Sequence, residues 1–364
     1  MNSIYIHIPF CEQKCFYCAF ASFDKQFDKV EKYFNALKKE IDTSPFKLKI
    51  GSIFIGGGTP SAVNPCFIEQ ILRSVREKFQ VEKDAEITLE AHPNSLDEKK
   101  LKKYFEMGIN RLSIGVQSLD NRQLQMLGRL HNKKQVFKVL KTAKKAGYKN
   151  INCDLLLGLE RQNFFQLKRE INSLKKYVTH FSCYMLQVEE GSPLKVMVEK
   201  GKVKLPQDDK VAQQYHRLAK FLKKKGFEQY EISNFASNGW LCRHNLNYWS
   251  RGNYLGFGLG AHSFIDGTRW ANSSSFDDYF IGKKAFTEKL DSKQIVEEIV
   301  MLGLRCCLGF SLSQLKKYGI KLEKNAYFNE FLEKGILKAE NGVIKINPDY
   351  YGVSNLVIEK LIDF

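Results

Sequence analysis

A chain of 364 residues that is 43% hydrophobic and 13% aromatic can build a large buried core, which excludes the disordered class. No apolar run reaches the ~18 residues needed to span a bilayer, and nine cysteines, an odd number, argue against a disulfide framework. The formal net charge of +17 invites a nucleic-acid partner, but the lysines are scattered over helix-like stretches such as Glu98–Gly108 and Leu167–Tyr177. That is the pattern of solvated helix faces rather than of a phosphate-tracking stripe, so no nucleic acid is expected.

The N-terminal segment has no basic n-region, and Ile4–Pro9 alternates apolar and polar residues. It reads as a strand and not as a signal peptide, and the expected location is the cytoplasm. Further strand-like runs follow at Ile50–Ile55, Glu86–Glu90, Arg111–Val116, Ile151–Leu157 and His180–Leu186. Between them lie amphipathic stretches at Asp28–Ile41, Ile68–Phe79, Glu98–Met107, Gln135–Lys145, Phe165–Lys175 and Asp209–Lys225. This alternation predicts βαβ units and an α/β fold with a parallel sheet. Six successive units fit a partial or full (β/α) barrel over residues 1–230; pattern alone leaves a doubly wound open sheet as the alternative. Barrel chemistry sits in the loops after the strands, and nearly every unusual motif here falls there. Residues 231–288 are rich in Gly, Asn and aromatics, carry few helix signals over Glu231–His262, and read as a long functional loop or a sheet edge. From Lys289 helices resume, with a hairpin at Gly342–Tyr350, which predicts a small C-terminal helical, winged-helix-like domain over 289–364.

Cys11-x3-Cys15-x2-Cys18 follows the first predicted strand directly. Thiolates are the usual ligands of iron–sulfur clusters, and this spacing lets one short loop wrap a [4Fe-4S] cubane. Three sulfurs leave the fourth iron open to chelate a small molecule. Zinc is the competing occupant, but a structural zinc site wants four Cys/His ligands in tighter pairs, and His7 lies on the strand before the loop. Three unligated core cysteines are the remaining alternative. Of the other six (Cys66, Cys153, Cys183, Cys242, Cys306 and Cys307), most read as inert buried thiols, while Cys242 stands apart because it neighbours His244.

CxxxCxYC after a first strand resembles the signature of the radical S-adenosylmethionine (SAM) superfamily. The resemblance implies that the open iron binds the amino and carboxylate groups of SAM. By the same resemblance Tyr17 lies near the adenine, and Gly57, Gly58 and Thr59, within Gly56–Pro60, form the turn that contacts the SAM amino group. Glu90, Gln117, Arg129 and Asp154 match further SAM contacts. More closely, IYIHIPFCEQKCFYCAF, IGGGTPS, LEAHPNS, RLSIGVQSLD, MLGRLH, CDLLLGLERQ and HNLNYW are similar to the family of oxygen-independent coproporphyrinogen III oxidase and its relatives, and in that family Tyr5 also contacts the cofactor. The oxidase carries a further cysteine where this chain has Phe20, and an extension before the first strand. The absence of both resembles instead the family's haem chaperone branch, whose H-N-x-x-Y-W motif is met by His244, Asn245, Tyr248 and Trp249.

That resemblance implies haem as a third cofactor, with His244 or Cys242 as axial ligand. Tyr248, Trp249, Trp240 and Tyr254 would face the porphyrin, and Arg243 or Arg251 its propionates. Its implied partners are a haem-acceptor protein, an electron donor such as flavodoxin or ferredoxin, and a peripheral membrane contact. Two other functions stay open on the sequence: coproporphyrinogen III dehydrogenase, releasing CO2 from propionate side chains, and a radical SAM enzyme that modifies nucleic acid. The last rests on charge alone, and RNA binding that persists at physiological salt is its mark.

Overall fold

The computed structural model describes residues 1–362. Six parallel strands come first: β1 (Asn2–Ile8), β2 (Lys49–Gly57), β3 (Gln80–Ala91), β4 (Arg111–Gln117), β5 (Asn150–Leu157) and β6 (His180–Met185). Each pairs with the next in chain order. A doubly wound sheet reverses its strand order at a switch point; this sheet does not, and the chain has the TIM-like α/β fold of a partial barrel.

The longer helices after these strands are α1 (Val30–Asp42), α2 (Pro65–Lys78), α3 (Glu98–Glu106), α4 (Lys133–Lys145), α5 (Phe164–Leu174) and α6 (Asp208–Lys224). Local chemistry starts several of them. Asp97 and Asn163 cap α3 and α5 by accepting from the backbone amides of Lys100 and Gln166, and Asn132 with Gln135 forms a capping box on α4. Successive side chains of a strand point to opposite faces. Ile4, Ile6, Ile53, Ile55, Leu112, Ile114, Ile151 and Leu155 are buried in the main core. The alternate positions point into the barrel and are polar: Ser3, Ser52, Glu86, Thr88, Arg111, Ser113, Asn152, His180 and Ser182 are buried as well.

Residues 231–288 are more ordered than their composition suggests. Strand β7 (Asn234–Ala236) pairs antiparallel with β6. Helix α7 (Arg243–Trp249) follows, and β8 (Tyr254–Phe257) lies parallel to β1 on its free side. The sheet continues antiparallel through β9 (His262–Ile265), β10 (Thr268–Asn272) and β11 (Lys284–Lys289). Helix α7 is absent from the sequence expectation because its cap is remote. Cys242 offers no side-chain cap; the Glu86 carboxylate of β3 accepts from the backbone amides of Arg243 and His244, each at 3.2 Å. A carboxylate there satisfies amides that have no partner within the helix and favours the positive end of its dipole.

The tail holds α8 (Ser292–Gly303), β12 (Phe310–Ser311), α9 (Ala326–Glu333), β13 (Leu337–Glu340), β14 (Val343–Ile346) and α10 (Ser354–Ile362). Asn341 and Gly342 turn the β13–β14 hairpin with φ of 53° and 76°, the positive values a two-residue hairpin requires. Val296, Val300, Phe310, Leu337, Ile344 and Leu361 belong to a second hydrophobic cluster, distinct from that of the barrel.

Candidate functional site

The cysteine loop leaves β1 at its C-terminal end, and the loops after β2, β3 and β4 close around it. Thr59 Oγ1 donates to Cys11 Sγ at 3.5 Å, and Ser22 Oγ lies 3.6 Å from Cys18 Sγ. Arg129 Nη1 donates to Cys15 Sγ at 3.2 Å, and its Nη2 to the Gly115 carbonyl at 2.6 Å. Burial pushes the Cys11 thiol up, and the Thr59 hydroxyl pulls it back. Thr59 and Arg129 therefore each aim a donor at a cysteine sulfur, whereas the Ser22 hydroxyl beside Cys18 also donates to the Phe20 carbonyl at 3.4 Å.

The glycine turn is shaped by what stands behind it. Gly57 has φ of 114°, and a Cβ there would lie 2.6 Å from the His7 ring; at Gly58 it would lie 3.0 Å from Cys11 Sγ. Only glycine fits at the first of these. His7, a zinc-ligand candidate in the sequence, is committed elsewhere. Its Nε2 donates to the Ala21 carbonyl at 2.8 Å, which leaves Nδ1 to accept from the Tyr5 hydroxyl at 2.9 Å. Among the described residues no three His, Cys, Asp or Glu side chains gather closely enough for one metal ion.

Around the loop stand the other residues singled out in the sequence. The Gly57 amide donates to Glu90 Oε2 at 3.1 Å. Burial, then the Asp154 carboxylate, raises the Glu90 pKa from 4.5 to about 7, against the Gly57 amide and Arg111. Asp154 is also raised by burial, opposed by hydrogen bonds from Asn152 and Ser182. Tyr17 is placed between Arg129, Asp154 and the thiols of Cys15 and Cys18, all of which act on its hydroxyl. Arg129 Nε is buried without a protein partner. Three thiols, two buried carboxylates, and a guanidinium with a spare donor suit an iron–sulfur cluster carrying a ligand with both ammonium and carboxylate groups. Sequence patterning does not single out Ser22, His92 or His131; the usable signal for the two histidines is that they follow predicted strands inside the quoted motifs LEAHPNS and MLGRLH.

His244, Asn245, Tyr248 and Trp249 are not brought to this mouth. Helix α7 packs under the barrel interior and joins its polar layer. His244 is buried, its Nδ1 lies 3.0 Å from Ser52 Oγ and its Nε2 3.0 Å from the Tyr248 hydroxyl. Burial lowers its pKa to about 3. Both ring nitrogens are thus engaged by protein, unlike the free imidazole that an axial ligand requires. Cys242 is buried too, its backbone amide donating to the Tyr230 hydroxyl, and burial pushes its thiol up to about 12. Trp249 is turned the other way. It lines a cleft of about 220 Å³ with Arg251, Phe310, Lys317 and Tyr318, between α7 and the tail.

The radical SAM superfamily model matches residues 5–174. The heme chaperone HemW of Bacillus subtilis (strain 168) is 36% identical over 351 residues, covering 93% of this chain and 93% of that one. HemW of Lactococcus lactis subsp. lactis (strain IL1403) is 32% identical, covering 99% and 97%. The mitochondrial radical S-adenosyl methionine domain-containing protein 1 of Mus musculus is 34% identical, covering 84% and 74%. Among solved structures, coproporphyrinogen III oxidase (HemN) from Escherichia coli matches with a TM-score of 0.85 over 100% of this chain and 90% of that one, at 20% identity, and so shares the fold. With more than a third of its residues shared with the Bacillus protein over nearly the full length of both, this chain belongs to the HemW haem chaperone family within the radical SAM superfamily.

Proposed function

We propose that the chain is a haem carrier that holds a [4Fe-4S] cluster on Cys11, Cys15 and Cys18, binds SAM beside it, and passes haem to an acceptor protein. The observation that carries this reading is the convergence of three thiols, two of them met by a side-chain donor, at the mouth of a barrel whose relatives over nearly the whole length are haem chaperones. Held by Cys11, Cys15 and Cys18, such a cluster would bind SAM and would be the electron source if its S–C5′ bond is broken. The chain's own part is positioning. Glu90 and Asp154 would meet the SAM ammonium, Arg129 its carboxylate, Tyr5 and Tyr17 the nucleoside side, and Gln117 the remaining polar edge.

For haem, the placement of α7 favours its outer end. Trp249 and Tyr318 offer aromatic faces, and Arg251 and Lys317 offer cations to propionates. An axial role for His244 would require breaking its link to Ser52 or to Tyr248. All cysteines among the described residues are free thiols, which suits a reducing compartment such as the cytoplasm.

Anaerobic reconstitution tests the reading on one sample, by iron and sulfide counts, EPR with and without SAM, and haem titration. The expected result is four irons per chain, an EPR signal altered by SAM, and a Soret band that Trp249→Ala weakens more than His244→Ala does. Zinc at the thiols, or robust conversion of coproporphyrinogen to protoporphyrinogen, would replace it.

A further inference from the structure

Strand β4 ends in a γ-turn. The Ser118 amide donates to the Val116 carbonyl at 2.8 Å, across Gln117, whose φ is 65°. A three-residue turn with positive φ at a residue other than glycine is rare and strained, and it persists only where the surroundings over-determine it. Gln117 is also where the β4–β5 register slips. The same Val116 carbonyl takes a second donor, His131 Nε2, at 3.1 Å.

His131 is itself fixed by a second imidazole. His92 Nδ1 accepts from the Asn94 amide at 3.1 Å, so the His92 proton sits on Nε2, which lies 3.2 Å from His131 Nδ1. His131 Nδ1 must then accept, which leaves its own proton on Nε2, aimed at Val116. Burial, Arg129 and, for His92, its neighbour His131 lower the pKa values of His92 and His131 to about 2 and about 3, so both stay neutral. The chain of contacts reaches the cysteine loop, because Asn94 Nδ2 donates to Glu12 Oε2 at 3.0 Å. It also reaches the glycine turn, because the His92 amide donates to Ser61 Oγ at 3.1 Å.

We propose that His131, tautomer-locked by His92, is a positioning residue that clamps the γ-turn at Gln117 and so aims the Gln117 side chain at SAM. This rests on the cofactor reading above. The pair couples the loops after β2, β3 and β4 to the cysteine loop, so the cluster and the SAM contact on β4 are set by one hydrogen-bonded frame.

The test compares His131→Gln with His131→Asn in the full chain after anaerobic reconstitution. Gln places its amide donor where Nε2 stood and can still reach Val116; Asn places it one bond short. Iron and sulfide counts, SAM affinity and the SAM-induced change in the EPR signal are measured for both. The expected result is wild-type cluster content in each, wild-type SAM affinity for Gln, and a loss of about tenfold for Asn, the size of one hydrogen bond, with a smaller EPR response. In the wild type without SAM, hydrogen exchange at the Ser118 amide is expected to be slow, and faster in the Asn variant. Equal SAM affinity in wild type, Gln and Asn variants would overturn the inference while leaving the cofactor reading intact. Loss of cluster in both variants would reduce His131 to a structural residue and overturn it as well. A wild type that carries the cluster but ignores SAM would sink the cofactor reading, and this inference with it.

Discussion

Glu90 is the site residue whose charge state the fold controls most directly. The folded chain holds its proton more tightly than the unfolded chain, because burial and Asp154 raise its pKa from 4.5 to about 7. Its contribution to stability is therefore complete below pH 4.5 and is lost as pH rises through about 7. Urea midpoints of the protein without cofactors are expected to fall across that window, where buried Glu231 is also raised to about 7, and Glu90→Gln to reduce the slope; an unchanged slope would mean that Glu90 is not a titrating group. At the other end of the barrel, His244→Ala leaves Ser52 and Tyr248 each short of a buried partner. A stability loss of about 2–4 kcal/mol is expected from urea unfolding. A variant as stable as wild type would show that the imidazole is free for a ligand.

The turn after β2 has little room for a side chain. Gly57→Ala combines a disfavoured φ of 114° with a Cβ 2.6 Å from His7, and His7 anchors the cysteine loop through Ala21. A loss of about 2–4 kcal/mol is expected by chemical denaturation, together with reduced iron content after reconstitution. Helix α7 shows how an element can escape sequence analysis. Its HNLNYW segment carries no local cap, and the Glu86 carboxylate that starts it lies on β3. The same helix explains why HNLNYW, although legible as a motif, does not form one site: His244 faces the barrel interior, while Trp249 faces the tail.

At the scale of the molecule, barrel and tail have separate hydrophobic clusters and are tied by a charged junction. Glu298 of α8 accepts from Arg251 Nε and from Arg269 Nη1, each at 2.8 Å. The carboxylate and Arg251 are largely shielded, with side-chain exposures of 17% and 18%. Glu298→Ala strands the Arg251 guanidinium and leaves Arg269 with Glu288 alone, so a cost of about 1–3 kcal/mol is expected. Limited proteolysis between residues 289 and 310 should quicken. Cleavage at the wild-type rate would show that the junction does not hold the tail.

The alternation of apolar strands and amphipathic helices determined the α/β class and the first six strands, because period and capping are local properties of residues such as Ile4, Ile6, Asp97 and Asn132. The cysteine spacing likewise pointed to a cluster loop, since three thiols within eight residues can be gathered without knowing the rest of the chain. Tertiary structure alone decided the strand order that excludes a doubly wound sheet, the remote cap of α7, and the engagement of His244. Each depends on contacts between residues far apart in the chain, such as Ser52 with His244, and no local pattern encodes which distant partner will occupy a polar atom once the barrel closes around it.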